Sequence, residues 1–309
     1  MYIKKLFFIL LTVSATTFAQ FEGAFINHDG GGFIGVEGGY QGYDHLLTKD
    51  TSYNGNLHRS VTAVTMRLFA HYSPIEKLSL FVSVPFVYAA TSDIYTSLPT
   101  HFTDTLPSNS VFNVGNVQAG VKYKFFHKNT WLMAVSLLTE FKTSYYENSN
   151  GLKTGLEAFS FNPNFHVAKT FKDQYYINLD LGGTYRTDDH SGDARVYTEV
   201  GTNFWKEQIW LRLGFDVRQS FRNGDFLYPN NRQTGLFLNN REYLGIVFRA
   251  EYNHPKGYGF YAGVNAYFAA DNMPAAPYIN LGLFYRWKYD LRQELPYKII
   301  PMEKKDTQQ

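Results

Sequence analysis

The sequence of 309 residues contains no cysteine, which excludes disulfides, a lipid-modified cysteine anchor and thiolate metal sites. No uninterrupted apolar run reaches the roughly 18 residues that a membrane-spanning helix needs. Charge of one sign is also lacking: 29 Lys and Arg stand against 27 Asp and Glu, and Lys4 and Lys5 account for the difference. Such a balance gives no reason to bind nucleic acid. The nine histidines are scattered without metal-ligand spacing, and hardly any helical hydrophobic period is present.

Aromatic residues are what the chain has in excess. Its 24 Tyr, 27 Phe and 4 Trp bring the aromatic share to 18%, yet the mean hydropathy is negative. That combination suits a membrane β-barrel, where only alternate residues meet lipid and the average conceals them. The N-terminal stretch MYIKKLFFILLTVSATTFAQ sets Lys4 and Lys5 before an apolar run from Leu6 to Val13, with small residues up to Ala19. This pattern predicts a secretory signal peptide over residues 1–19.

A period of two recurs along the rest of the chain. The alternating segments fall at 33–43, 61–72, 78–88, 116–126, 131–141, 159–167, 175–186, 196–204, 209–218, 243–252, 260–268 and 279–288. In the fourth, Val117, Ala119, Val121, Tyr123 and Phe125 share one face, while Gln118, Lys122 and Lys124 share the other. No mid-segment position on an apolar face is charged, as lipid demands: Arg or Lys near the bilayer midplane costs roughly 2–4 kcal/mol. Connections alternate in length. SPIEK, HKNT, FKDQ, KEQ and NHPKG are short, whereas those between them, including 91–110 and 223–240, are mostly longer and polar. Outward aromatics gather near both rims, as expected where rings meet lipid headgroups.

The predicted fold is all-β: a single antiparallel transmembrane β-barrel of about 12 strands, with short periplasmic turns and longer extracellular loops, in the bacterial outer membrane. The domain reading is signal peptide 1–19, lead-in segment 20–32, barrel 33–289 and polar periplasmic tail 290–309. The expected surroundings are outer-membrane lipid and lipopolysaccharide.

By phase, the lumen holds Arg67, Lys122, Lys124, Lys142, Arg186, Arg212, Arg218, Arg241, Arg249, Arg286 and Lys288. Against them stand Glu37, Glu140, Asp180, Glu199, Asp216 and Glu251. Candidates to line a pore or bind solute are Arg67, Lys122, Lys142, Arg186, Arg212, Asp216, Arg218, Arg249, Glu251 and Arg286. The basic surplus favours anions. Gly201, Gly214, Gly245, Gly263 and Gly282 share the inward phase of successive strands and are expected to leave a strip of open wall for a solute, a folded-in loop or the N-terminal segment. No catalytic set is found: there is no His-x-Ser pair, and Asp188, Asp189 and His190 in TDDHSGD read as a polar turn. No metal or cofactor is implied. The functional expectation is a barrel that passes or binds a small polar, anionic solute; a plugged structural or surface barrel is the alternative, and a barrel hydrolase comes third.

Two resemblances add to this. The last segment, NLGLFYRW, resembles the assembly signal of bacterial outer-membrane proteins, with Asn280, Gly282, Tyr285 and Trp287 in the pattern. That implies the outer-membrane assembly machinery as a partner. LSLFVSVPFVY (residues 78–88) and GNVQAGVKYKF (residues 115–125) resemble motifs of a transporter-like barrel family named for the meta-pathway of phenol degradation. Phe86 stands where the family has tyrosine, and Asn116 where it has an acid. The resemblance implies an outer-membrane barrel.

Overall fold

The computed structural model describes residues 23–27, 29–49, 55–93, 107–147, 151–171, 174–205, 208–224 and 234–288. The signal peptide and polar tail expected from the sequence lie outside the described residues. Within them every regular element is a β-strand. In chain order these are β1 (Gly31–Leu47), β2 (Asn56–Ile75), β3 (Leu78–Thr91), β4 (Asn109–Val114), β5 (Gln118–Lys128), β6 (Trp131–Glu140), β7 (Tyr146–Glu147) and β8 (Leu152–Lys153). They continue with β9 (Ser160–Phe171), β10 (Tyr175–Arg186), β11 (Asp193–Phe204), β12 (Ile209–Ser220), β13 (Glu242–Asn253), β14 (Tyr258–Asp271), β15 (Met273–Pro274) and β16 (Tyr278–Trp287).

Twelve of these strands form a closed antiparallel barrel. Pairing runs from β2 through β3, β5, β6, β9, β10, β11, β12, β13, β14 and β16 to β1, and β1 also pairs with β2. Each alternating segment of the sequence lies in one wall strand. Closure follows from the solvent: hydrocarbon offers no partners to a free strand edge, so backbone N–H and C=O groups must find each other.

The outward phase is apolar and exposed, with Ile34 at 56%, Leu281 at 62% and Leu283 at 63%. Such a band would be insoluble in water and is stable against lipid chains. Tyr72, Tyr123, Trp131, Tyr175 and Tyr285 lie outward at the short-turn rim, and Tyr40, Tyr88, Phe141, Phe159 and Tyr185 at the other. A register shift between Lys124 and Phe126 points the consecutive Phe125 and Phe126 both outward. Lys169 is also outward, near the short-turn rim, where its ammonium sits 4.7 Å from the ring centroid of Trp131 and 5.0 Å from that of Phe171. These rings stabilise a cation at membrane depth.

The walls differ in height. β1, β2 and β3 have 17, 20 and 14 residues, against the roughly 9–11 needed to cross the bilayer. Their tops carry an apolar cluster of Tyr43, Leu46, Leu57, Val61 and Ala89, onto which Leu152, Leu236 and Leu238 fold from the loops. The result is a lid over the long-loop mouth. Thr234 fastens it: its carbonyl accepts from the Tyr43 hydroxyl at 2.6 Å, and its own hydroxyl donates to Gly151 O at 2.6 Å.

The inward glycines do not leave an open strip. Tyr176 lies over Gly201, Tyr197 over Gly214, Tyr267 over Gly245, Asn280 over Gly263 and Tyr261 over Gly282, each so close that a methyl group would collide. Each pair faces across adjacent strands, apart from Tyr197 on Gly214, whose partner strand offsets it diagonally. A large side chain on one strand thus occupies the space that its glycine neighbour leaves. The glycines accommodate rings and a carboxamide rather than solute.

Two outcomes test this arrangement. Leu179→Arg, on the lipid face of β10, should destabilise the barrel by about 2–4 kcal/mol, read as a lower midpoint in urea refolding with lipid vesicles. Gly282→Ala should cost about 1–3 kcal/mol by forcing Tyr261 aside, while the same change at Gly38, whose position leaves room for a methyl, should cost far less.

Candidate functional site

The lumen is built in layers, and each layer follows from strand phase. Near the middle, Glu37 on β1 faces Arg67 on β2 across one rung. Its carboxylate accepts from Arg67 Nη1 at 3.2 Å, Tyr261 Oη at 2.6 Å and Asn280 Nδ2 at 3.0 Å. One anion thus ties together four strands around the barrel seam. Glu199 accepts from the hydroxyls of Tyr176 and Tyr197. Asp216 accepts from Arg195 at 2.8 and 3.0 Å and from Tyr243 Oη at 3.1 Å. Glu251 takes Arg286 at 3.0 Å, Arg212 at 3.1 Å and Asn253 Nδ2 at 3.0 Å. Arg249 stacks over the Tyr261 ring at 4.5 Å. Buried carboxylates demand such partners, since a charge taken out of water without one costs several kcal/mol.

A further set joins Ser136, His166 and Asp180. Ser136 Oγ lies 2.8 Å from His166 Nε2, and His166 Nδ1 lies 2.7 Å from Asp180 Oδ1. This is the order of a Ser-His-Asp relay. His166 and Asp180 line a small cavity of about 40 Å³ whose lining does not include Ser136, and Ser136 is itself buried. The relay works as a packed polar network that fixes the ring of His166.

The lower lumen is filled by the lead-in segment. Gly23 N donates to Asp180 Oδ2 at 2.9 Å, and Lys122 Nζ donates to Gly23 O at 2.7 Å. Phe25 sets its ring against Tyr176 at 5.2 Å. At the short-turn mouth Lys124 pairs with Glu76 at 3.3 Å.

Beneath the lid is a third layer. Arg186, Arg218 and Arg241 line a small cavity of about 30 Å³ with Asp193, Ser191, Ser220, Asn239 and Asn240. Asp193 lies 2.7 Å from Arg186 and 3.7 Å from Arg218. The Nε atoms of Arg186, Arg218 and Arg241 are buried without a hydrogen-bond partner among the described residues. Burial, reinforced by the charges of Arg218 and Arg186, pushes the Arg241 guanidinium down to about 10. Each of these two cavities has room for about two or three waters.

Among the residues singled out from sequence, Arg67, Lys122, Arg186, Arg212, Asp216, Arg218, Arg249, Glu251 and Arg286 lie inside the barrel. Lys142 does not. It lies beyond the end of β6, is 40% exposed and pairs with Asp188 at 3.4 Å, because the strand ends before the alternation reaches it. Lys288 is likewise exposed, past the end of β16. Arg195 and Asp193 were missed although they share the inward phase of β11; carrying that segment back by two alternations would have found them. The Ser136 relay had no sequence signal, since its members stand on three strands.

A closed antiparallel barrel with a lipid-facing apolar band, aromatic rims and a charged interior is an outer-membrane β-barrel protein, and the outer membrane is its location. An outer membrane channel from Pseudomonas putida F1 has the same fold, with a TM-score of 0.65 at 10% identity over 89% of this chain and 100% of that one. The KdgM porin in complex with disordered oligogalacturonate scores 0.49 at 8% identity, over 82% and 98% of the two chains. The Pseudomonas putida toluene transporter TodX scores 0.44 at 10% identity, over 85% and 90%. No curated protein matches the sequence. The model of the family described as "Putative MetA-pathway of phenol degradation" matches residues 72–214.

Glu37→Ala removes the acceptor shared by Arg67, Tyr261 and Asn280. The folded-to-unfolded gel-mobility transition should drop by the equivalent of about 3 kcal/mol, and Glu37→Gln, which retains an acceptor oxygen, should lose less.

Proposed function

We propose that this barrel is a gated outer-membrane passage for a small anionic solute. The observation that carries the reading is the group of three guanidiniums under the lid, of which Arg186 and Arg218 pair with the carboxylate of Asp193, around a cavity lined by hydroxyls and carboxamides. An anion there would gain several charge-assisted hydrogen bonds and relieve the mutual repulsion that burial aggravates at Arg241.

Passage requires movement. The lid and the lead-in segment are fastened by side-chain contacts, so both would swing aside without breaking the wall ladder. A plugged structural barrel is the second reading, favoured by the tight pairing of Glu251 with Arg212 and Arg286 and of Asp216 with Arg195. β16, with Asn280 inward and Tyr285 outward, is proposed as the strand recognised by the outer-membrane assembly machinery.

Single-channel recording in planar bilayers separates the readings. The pore reading expects a small, anion-preferring current whose reversal potential moves towards cation preference in Arg218→Glu and again in Arg241→Glu. Absence of current from both the native protein and a Thr234→Ala variant with a loosened lid would leave the plugged barrel. Current whose selectivity ignores both arginines would remove the basic station.

A further inference from the structure

The wall around the lead-in segment has the form of a binding site. Lys122 on β5 presents an ammonium to Gly23 O at 2.7 Å, Asp180 on β10 a carboxylate to Gly23 N at 2.9 Å, and Asn178 a carboxamide oxygen to Ala24 N at 3.3 Å. Ala24 is fully buried on a small apolar shelf made by Leu132, Ala134 and Ala168. Phe25 packs edge-on against Tyr176, itself 5.8 Å from Trp210. Gly23 reaches this position with φ near +80°, where a Cβ would also crowd Asn178. Every wall group is a side chain carried by a barrel strand.

We propose that Gly23–Ala24–Phe25 is a tethered stand-in for a ligand, and that the site takes a short peptide or N-acyl amino acid with an aromatic side chain. The carbonyl or carboxylate of such a ligand meets Lys122, its amide N–H meets Asp180 or Asn178, and its ring meets Tyr176 and Trp210. One residue, through its own N–H and C=O, supplies a donor to the buried carboxylate and an acceptor to the buried ammonium together. An aromatic hydrocarbon fills the ring slot and leaves both without that partner, a loss that polar sites penalise strongly. The inference stands apart from anion passage, because it concerns binding in the lower lumen and needs no current.

The test is calorimetric titration of full-length, detergent-solubilised barrel with acetyl-Gly-Ala-Phe. Gly23→Pro removes the N–H given to Asp180 and bars a positive φ; Phe25→Ala empties the ring slot by a separate route. Heat-modifiable gel mobility verifies that each variant is folded. Freed from intramolecular competition, the variants should bind the tripeptide at least about tenfold more tightly than the native chain. Acetyl-Gly-Ala-Ala should bind the freed site about tenfold more weakly, and toluene should give no heat. Lys122→Met in the Gly23→Pro background should abolish the gain. Equal binding by native and both variant proteins, or equal binding of toluene or the alanine peptide, overturns the proposal.

Discussion

Closure of β1 between β16 and β2 is the interaction on which everything else rests. In hydrocarbon an unpaired backbone N–H or C=O costs several kcal/mol, so the sheet has no tolerable edge and must return to its start. The register of that seam sets Glu37 opposite both Arg67 and Gly282. It therefore determines where the mid-lumen network forms as well as whether the barrel closes. Asn280 on β16 and Tyr261 on the next strand, β14, reach the same carboxylate, so the seam is held twice, by the ladder and by the lumen.

Once the outside is committed to lipid, the chain's polar side chains have only the inside to occupy. The interior then obeys the rules of a protein core with charges in it. Carboxylates recruit several donors each, and tyrosines lie across glycines on neighbouring strands to fill space. This explains why a barrel of this size holds small cavities at two levels beside dense packing. Cations also gather under the lid, where Arg186 and Arg218 pair with Asp193 and Arg241 lines the same cavity.

Both fillings of the lumen come from outside the wall. The lid descends from loops onto the tall strands β1 to β3, and the lead-in segment rises from the other end onto β5, β10 and the aromatic pair Tyr176 and Trp210. Segments attached by side chains open at lower cost than strands attached by a ladder. That division of labour, a rigid tube filled from both ends, is what the proposed passage would draw on.

Strand periodicity in the sequence was enough to establish the twelve walls, the face each presents to lipid, and the aromatic rims, because period two assigns each side chain to one side of the sheet. It located Arg67, Glu251 and Arg212 inside on the same ground. Depth, curvature and neighbours were not available from it. Lys142 falls outside because β6 ends before it, and the glycines are covered because Tyr176, Tyr197, Tyr267, Asn280 and Tyr261 lean from adjacent strands. Ser136, His166 and Asp180 meet only when three strands align. Alternation is a local property that each segment carries alone, whereas distance across the lumen depends on how all twelve strands stagger and tilt when the barrel closes.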